Sequence, residues 1–91
     1  MEIRQTARAG TNEKSDILIE IFSADRGIHL ELYSTVEKCF GTAVRKTIKE
    51  VIKEFGIQNA YVKATDKGAL DYTIKARTET ALKRACKGGS I

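Results

Sequence analysis

Ninety-one residues suffice for one domain around one modest core and leave no room for a second, so a single domain over residues 1–91 is expected. With 42% apolar and 31% charged residues, the composition is that of a globular chain and excludes the apolar-poor, highly charged balance of disorder. Sixteen Lys and Arg against twelve Asp and Glu give a net charge of +4, which points to an anionic partner without identifying it. No run of about 18 apolar residues and no apolar N-terminal region is present, so neither membrane insertion nor secretion is indicated and the cytoplasm is the expected compartment.

Residues 2 to 8 alternate weakly, as an edge strand or a mobile arm would. They lead into residues 10 to 16, a polar stretch with no core-forming side chain that is expected to be an exposed loop. In residues 17 to 22, Ile17, Ile19 and Ile21 fall on one face of a strand, and Leu18, Glu20 and Phe22 on the other. Residues 28 to 33 repeat this, with Ile28, Leu30 and Leu32 inward and His29, Glu31 and Tyr33 outward. Between the two runs, residues 23 to 27 supply turn chemistry and Gly27 can take a positive φ, so an antiparallel hairpin is expected.

Ser34 and Glu37 fit a capping box, in which the serine hydroxyl and the glutamate three residues on satisfy orphan donors at a helix start. The helix that follows has an apolar stripe of Phe40, Ala43, Val44, Ile48, Val51, Ile52 and Phe55, with Gly56 placed to end it. Gly41 inside it is either a close backbone approach or a chance surface glycine. Residues 57 to 65 alternate Ala60, Val62 and Ala64 against Tyr61, Lys63 and Thr65, as a strand does, before Asp66, Lys67 and Gly68 break the chain. From Ala69, Leu70, Ile74, Arg77 or Thr78, Ala81, Leu82 and Ala85 recur at helical spacing toward Gly88 and Gly89, although Tyr72, Thr73 and Ile74 would also suit an extended start. Lys75, Arg77, Lys83, Arg84 and Lys87 read as a solvated helix face. The order β-β-β-α-β-α predicts an α+β domain, a mainly antiparallel sheet of three or four strands with two helices packed on one face.

Catalytic chemistry of the chain's own is hard to find. His29, the single histidine, lies on a strand face and reads as a surface or packing residue, and without a second histidine or a cysteine cluster no zinc site is expected. Cys39 and Cys86 are far apart and read as reduced thiols behaving as small apolar residues, although a helix N-terminus could activate Cys39. Neither G-x-G-x-x-G nor a P-loop occurs. A small basic domain with Tyr33, Tyr61 and Lys63 on an open sheet face could instead stack the bases of single-stranded RNA, but Glu20 and Glu31 share that face and no RNP-type motif is present.

Taken together, the loop, the turn and the last helix resemble the acyl carrier protein, or gamma subunit, of citrate lyase over nearly the whole length. Met1, Ile3, Ala7, Ala9, Gly10 and Thr11 match the family's opening, which ends in A-G-T, and Asp16 its following aspartate. Ser34, Val36, Glu37, Lys38, Phe40 and Gly41 resemble its S-x-V-x-K-x-F-G segment. The run D-K-G-A-L-D over residues 66 to 71, followed by Ala76, Arg77, Glu79, Ala81, Leu82, Arg84 and Ala85, is the most distinctive part.

The resemblance implies a carrier subunit that performs no catalysis alone. It implies a phosphoribosyl dephospho-coenzyme A group joined by a phosphodiester to a loop serine, put there by an attaching enzyme. An acyl thioester on that group is presented to an alpha subunit, which exchanges acetyl for citryl, and a beta subunit, which cleaves citryl to oxaloacetate, as citrate fermentation requires. The family's loop resembles A-G-T-L-E-S-S-D, with the first serine modified; in register that place is Lys14, and Ser15 comes next. A lysine amine cannot form the serine phosphodiester. Either Ser15 carries the group after a one-residue shift, which is the expectation, or this copy is not modified in the usual way. Thr11 is a weaker acceptor, and D-K-G-A-L-D with the helix after it is expected to serve either partner docking or packing.

Overall fold

A computed structural model of the chain describes residues 2–34 and 37–87, with residues 37–40 described by their backbone alone. Its elements run β1 (Ala7–Gly10), β2 (Ile17–Phe22), β3 (Ile28–Ser34), α1 (Glu37–Glu54), β4 (Ala60–Asp66) and α2 (Asp71–Cys86). Element order and α+β class are those the pattern predicts. The capping box over residues 34–37, the side chains of Cys39 and Phe40, and Gly88 and Gly89 lie outside the described residues.

The pairing differs from expectation. The four strands lie in the order β1-β2-β4-β3, so β4 fills the place between β2 and β3 and the hairpin expected of those two does not form. β2 pairs antiparallel with both β1 and β4, whereas β3 pairs parallel with β4, which makes the sheet mixed. Alternation assigns a strand its inner and outer faces but not its neighbour. The turn after β2 spans the inserted strand: the Gly27 N–H donates to Asn59 Oδ1 at 2.8 Å, and the Gly27 carbonyl accepts from the Ala60 N–H at 3.0 Å.

Both helices cover the same face of the sheet. Ile17, Ile19 and Ile21 of β2 and Ala60, Val62 and Ala64 of β4 are fully buried there, against Ile48, Val51 and Ile52 of α1 and Ala81, Leu82 and Ala85 of α2. Each such isoleucine contributes about 1.5–3 kcal/mol through burial. Thr78 is the α2 residue that turns inward, its hydroxyl donating to the Ile74 carbonyl at 2.7 Å. Gly41 is buried, as a close backbone approach would require. Ala43 and Leu70, expected in the apolar stripes, are exposed. Leu70 precedes the helix proper: its backbone is extended, and the Thr73 and Ile74 amides donate to its carbonyl, so residues 72–74 are helical rather than extended.

Helix α1 closes with a Schellman pattern. Gly56 has φ +69°, its N–H donates to the Lys53 carbonyl at 2.9 Å, and the Ile57 N–H donates to the Ile52 carbonyl at 3.3 Å while Ile57 is buried. At the other end of the chain, the Arg4 and Gln5 amides both donate to the Ala85 carbonyl, and Arg84 Nη1 donates to the Arg8 carbonyl at 2.8 Å. The N-terminal segment is thereby anchored on the last turn of α2 before it becomes the edge strand β1.

Candidate functional site: the β1–β2 loop

The loop begins where β1 meets Gly10, at φ +94°. A Cβ there would stand 1.8 Å from the Ile17 carbonyl oxygen and 3.3 Å from Arg77 Cδ, so the backbone of β2 and the Arg77 side chain occupy the space any larger residue needs. Thr11 then folds the loop on itself. Its hydroxyl accepts from the Glu13 N–H at 3.2 Å and donates to Asp16 Oδ2 at 2.7 Å, and the Asp16 N–H donates to the Glu13 carbonyl at 3.1 Å. A threonine hydroxyl engaged in both directions is poorly placed to be an acceptor of a covalent group.

Asp16 locks the loop to the last helix. Its Oδ1 accepts from the Ile17 N–H at 2.7 Å, and Arg77 approaches with two prongs, Nε to Oδ1 and Nη2 to Oδ2, each at 3.1 Å. Burial alone would push the carboxyl up, but the hydrogen bonds from Thr11, Arg77 and Ile17 and the Arg77 charge outweigh it and hold the pKa at about 2, against an ordinary 3.8. Arg77, expected on a solvated cationic face, is therefore an internal tie between residues 61 positions apart.

A folded-state value below the ordinary one stabilises the fold above pH 3.8 and ceases to do so as pH falls through about 2. The contribution is about 1 kcal/mol after discounting for solvent screening at Arg77, whose side chain is 42% exposed. Unfolding free energies from urea titration are expected to fall between pH 4 and pH 2 by about 1 kcal/mol more in the wild type than in Asp16→Asn. Equal slopes for the two proteins would remove the assignment.

Between these ties lies Ser15. It is the one non-glycine residue with positive φ, +66°, among the described residues, a conformation that costs L side chains about 1–2 kcal/mol and clusters at functional positions. Its N–H donates to the Lys67 carbonyl and the Lys67 N–H donates to the Asp16 carbonyl, both at 2.9 Å, so the end of the loop is laced to the turn after β4. The side chains of Lys14 and Ser15 are both exposed.

That turn is built by Asp66, which is 1% exposed. Its carboxylate accepts from the Ser34 hydroxyl at 3.0 Å and from the Gly68 and Ala69 amides at 3.2 and 2.9 Å. Asp71 at the start of α2 accepts from the Thr47 hydroxyl at 2.6 Å. Residues 66 to 71 thus join β3, β4, both helices and the Ser15 loop, which accounts for much of the D-K-G-A-L-D run as packing.

Elsewhere chemistry is sparse. His29 is exposed and its Nε2 lies 2.9 Å from the Arg26 carbonyl. Burial, the leading cause, pushes the Cys86 thiol above its ordinary pKa. Among the described residues no three His, Cys, Asp or Glu side chains form a metal-binding group, and no helix is long and apolar enough to cross a membrane. On the open sheet face, Arg8, Glu20, Lys63 and Glu31 stand in register across the four strands, so Lys63 is flanked by carboxylates on both sides. The Tyr33 hydroxyl donates to Glu31 Oε1 at 2.6 Å, and the Lys63 amine sits 5.8 Å from the Tyr33 ring centre. This alternation of sign does not favour an RNA backbone.

Comparison with known proteins bears on the same region. Residues 4–85 match the family model described as malonate decarboxylase delta subunit (MdcD). The citrate lyase acyl carrier protein of Halothermothrix orenii is 57% identical, covering 97% of this chain and 94% of its own length. That of Lactobacillus helveticus is 53% identical over 93% of this chain and 88% of its own. A crystal structure of a protein from Thermus thermophilus superposes with a TM-score of 0.67 at 13% identity, covering 92% of this chain and 16% of that one, a likeness of fold alone.

Proposed function

The chain belongs to the family of citrate lyase acyl carrier proteins, and on that premise we propose that it is the carrier subunit of a citrate lyase complex, with its prosthetic group on Ser15. The observation that carries the site is Ser15 itself: an exposed residue in the left-handed region, where Lys67 accepts from the Ser15 N–H and donates to the Asp16 carbonyl. Of the loop's other candidates, Lys14 offers an amine, and the Thr11 hydroxyl is engaged with Asp16 and Glu13.

The residues suit phosphoribosyl dephospho-coenzyme A. An attaching enzyme must surround the acceptor, which exposure permits, and the cationic Lys14 and Lys67, one beside Ser15 in sequence and the other bonded to it through the backbone, complement a phosphodiester. When bound, the group supplies the thiol that carries acetyl or citryl as a thioester. The chain supplies a fixed anchor: Asp16, Arg77 and Gly10 hold the loop to the body, so the arm swings from one point and its length sets the effective acyl concentration at each partner site. The partners are the alpha transferase subunit, the beta lyase subunit and the attaching enzyme; the chain contributes reach and recognition and no catalysis.

The test is intact mass and peptide mapping after co-expression with the family's attaching enzymes. The adduct is expected on the peptide containing Ser15 and is expected to vanish in Ser15→Ala, with Thr11→Val still loaded. An unmodified Ser15 under conditions that load a homologue with serines at both loop positions rejects the site.

A further inference from the structure

We propose that the outer edge of β3 at residues 28–31, together with Lys49 and Lys53 of α1 beside it, takes up an extended acidic segment of a partner protein as an added strand. The proposal goes beyond the carrier reading and does not depend on where the prosthetic group is attached.

The backbone supplies the first argument. β3 is an end strand of the sheet, with β4 its one neighbour among the described residues. The Gly27 carbonyl accepts from the Ala60 N–H and so points at β4; across the trans peptide the Ile28 N–H points away from it. Direction alternates along a strand, so His29 and Glu31 bond β4, while Ile28 and Leu30 turn their N–H and C=O outward. Among the described residues no other segment hydrogen-bonds to those outward groups. Leu32, next in the outward set, is 7% exposed and closes the open stretch. Residues 28 to 34 hold no lysine, proline or bulge to guard the edge, and the charge they do carry, Glu31, is engaged by Tyr33. A row of unpaired backbone groups selects extended chain as its partner.

Charge names the occupant. On the helix side, where α1 packs beside β3, Ile28 shares a groove with Ile52, Ile57, Lys49 and Lys53, and Gly56 and Gln58 complete its lining. That lining includes no carboxylate, and neither lysine makes an ion pair among the described residues. The hollows that adjoin it hold one carboxylate each: Glu50, among Arg45, Lys46 and the same two lysines, and Glu2, beyond Gly56 and Gln58. A glutamate on the helix side of an added strand can lay its stem over Ile28 and Ile52 and its carboxylate against the ammonium groups. A second copy of this chain fits less well, because pairing β3 with itself would set Lys49 and Lys53 of one α1 against those of the other. Ile28 is also level with Ala60, at the far end of β4 from Lys67 and the Ser15 loop, so a segment held here leaves that loop uncovered.

The probe is a capped peptide of about eight residues alternating Glu and Thr, long enough to line the edge. Titrated into the full chain, it is expected to slow amide exchange at Ile28 and Leu30 by about tenfold or more at saturation, with Arg8 on the opposite edge of the sheet unchanged. Lys49→Glu combined with Lys53→Glu, both at exposed positions, is expected to weaken binding by about tenfold or more at an unchanged thermal midpoint. A peptide alternating Lys and Thr, and the acidic peptide with every amide N-methylated, are expected to leave exchange as it is. Unslowed exchange at Ile28 and Leu30, equal binding of the N-methylated peptide, or binding of the double variant within about twofold of wild type overturns the proposal. Slowing that grows with protein concentration in the absence of peptide gives the edge to a second copy and overturns it as well.

Discussion

Gly10→Ala is expected to destabilise the fold by about 3–5 kcal/mol, a large share of the roughly 5–14 kcal/mol available to a domain of this size. Two effects add. The φ of +94° strains any L side chain by about 1–2 kcal/mol, and the new Cβ would lie 1.8 Å from a backbone oxygen, Ile17 O, which cannot rotate aside as a flexible side chain can. Relief requires β1 and β2 to part at the loop, which also pulls Asp16 from Arg77. Gly27→Ala is the control: φ is +77°, but nothing lies within 4 Å of the added carbon, so a loss of about 1 kcal/mol is expected. Chemical unfolding of both variants separates close approach from strain; equal losses would mean that the approach to Ile17 is not what requires glycine at position 10.

For Asp66→Ala a loss of about 2–4 kcal/mol is expected, because the change leaves the Ser34 hydroxyl and the Gly68 and Ala69 amides without their acceptor in a site that is 1% exposed. Asp66→Asn keeps the Oδ1 acceptor for the two amides and should lose about half as much. The local consequence is more informative than the global one. With the turn loosened, amide exchange at Ser15 and Lys67, each a donor in the ties between loop and turn, is expected to accelerate ahead of Ile19 in the centre of β2. Uniform acceleration at all three would show that Asp66 supports the whole fold and not the loop in particular.

Strand and helix positions were legible in the sequence wherever one face is buried. The alternation of residues 17 to 22 gives β2 to the residue, and the spacing of Val44, Ile48, Val51 and Ile52 gives the inner face of α1. Pairing was not legible, because periodicity is a property of one segment and neighbourhood a property of two. Ile28 and Leu30 are half-buried, as befits an edge strand, while Ala60, Val62 and Ala64 are wholly buried beneath the helices. Leu70 misled for a related reason: it falls at helical spacing but sits before the first turn, where the chain is still extended.

The candidate site divides along the same line. The polarity of residues 10 to 16 was local information, and residues 11 to 15 are indeed exposed, whereas Gly10 belongs to β1 and Asp16 is part-buried. That the loop is held from within by Arg77 could not be read locally, since no short-range pattern links Asp16 to a residue 61 positions later. An arginine in a run of helix cations looks like its exposed neighbours until the fold brings a carboxylate to it.

The place of β4 between β2 and β3 governs how the chain must come into being. Until residues 60–66 leave the ribosome, Ile17–Phe22 and Ile28–Ser34 face a vacant slot, each with backbone donors and acceptors that await the same late strand. The slot accepts any copy of that strand, so a neighbouring nascent chain can supply it and yield a swapped dimer. A subunit made beside many copies of itself is safest when its last third is translated without delay.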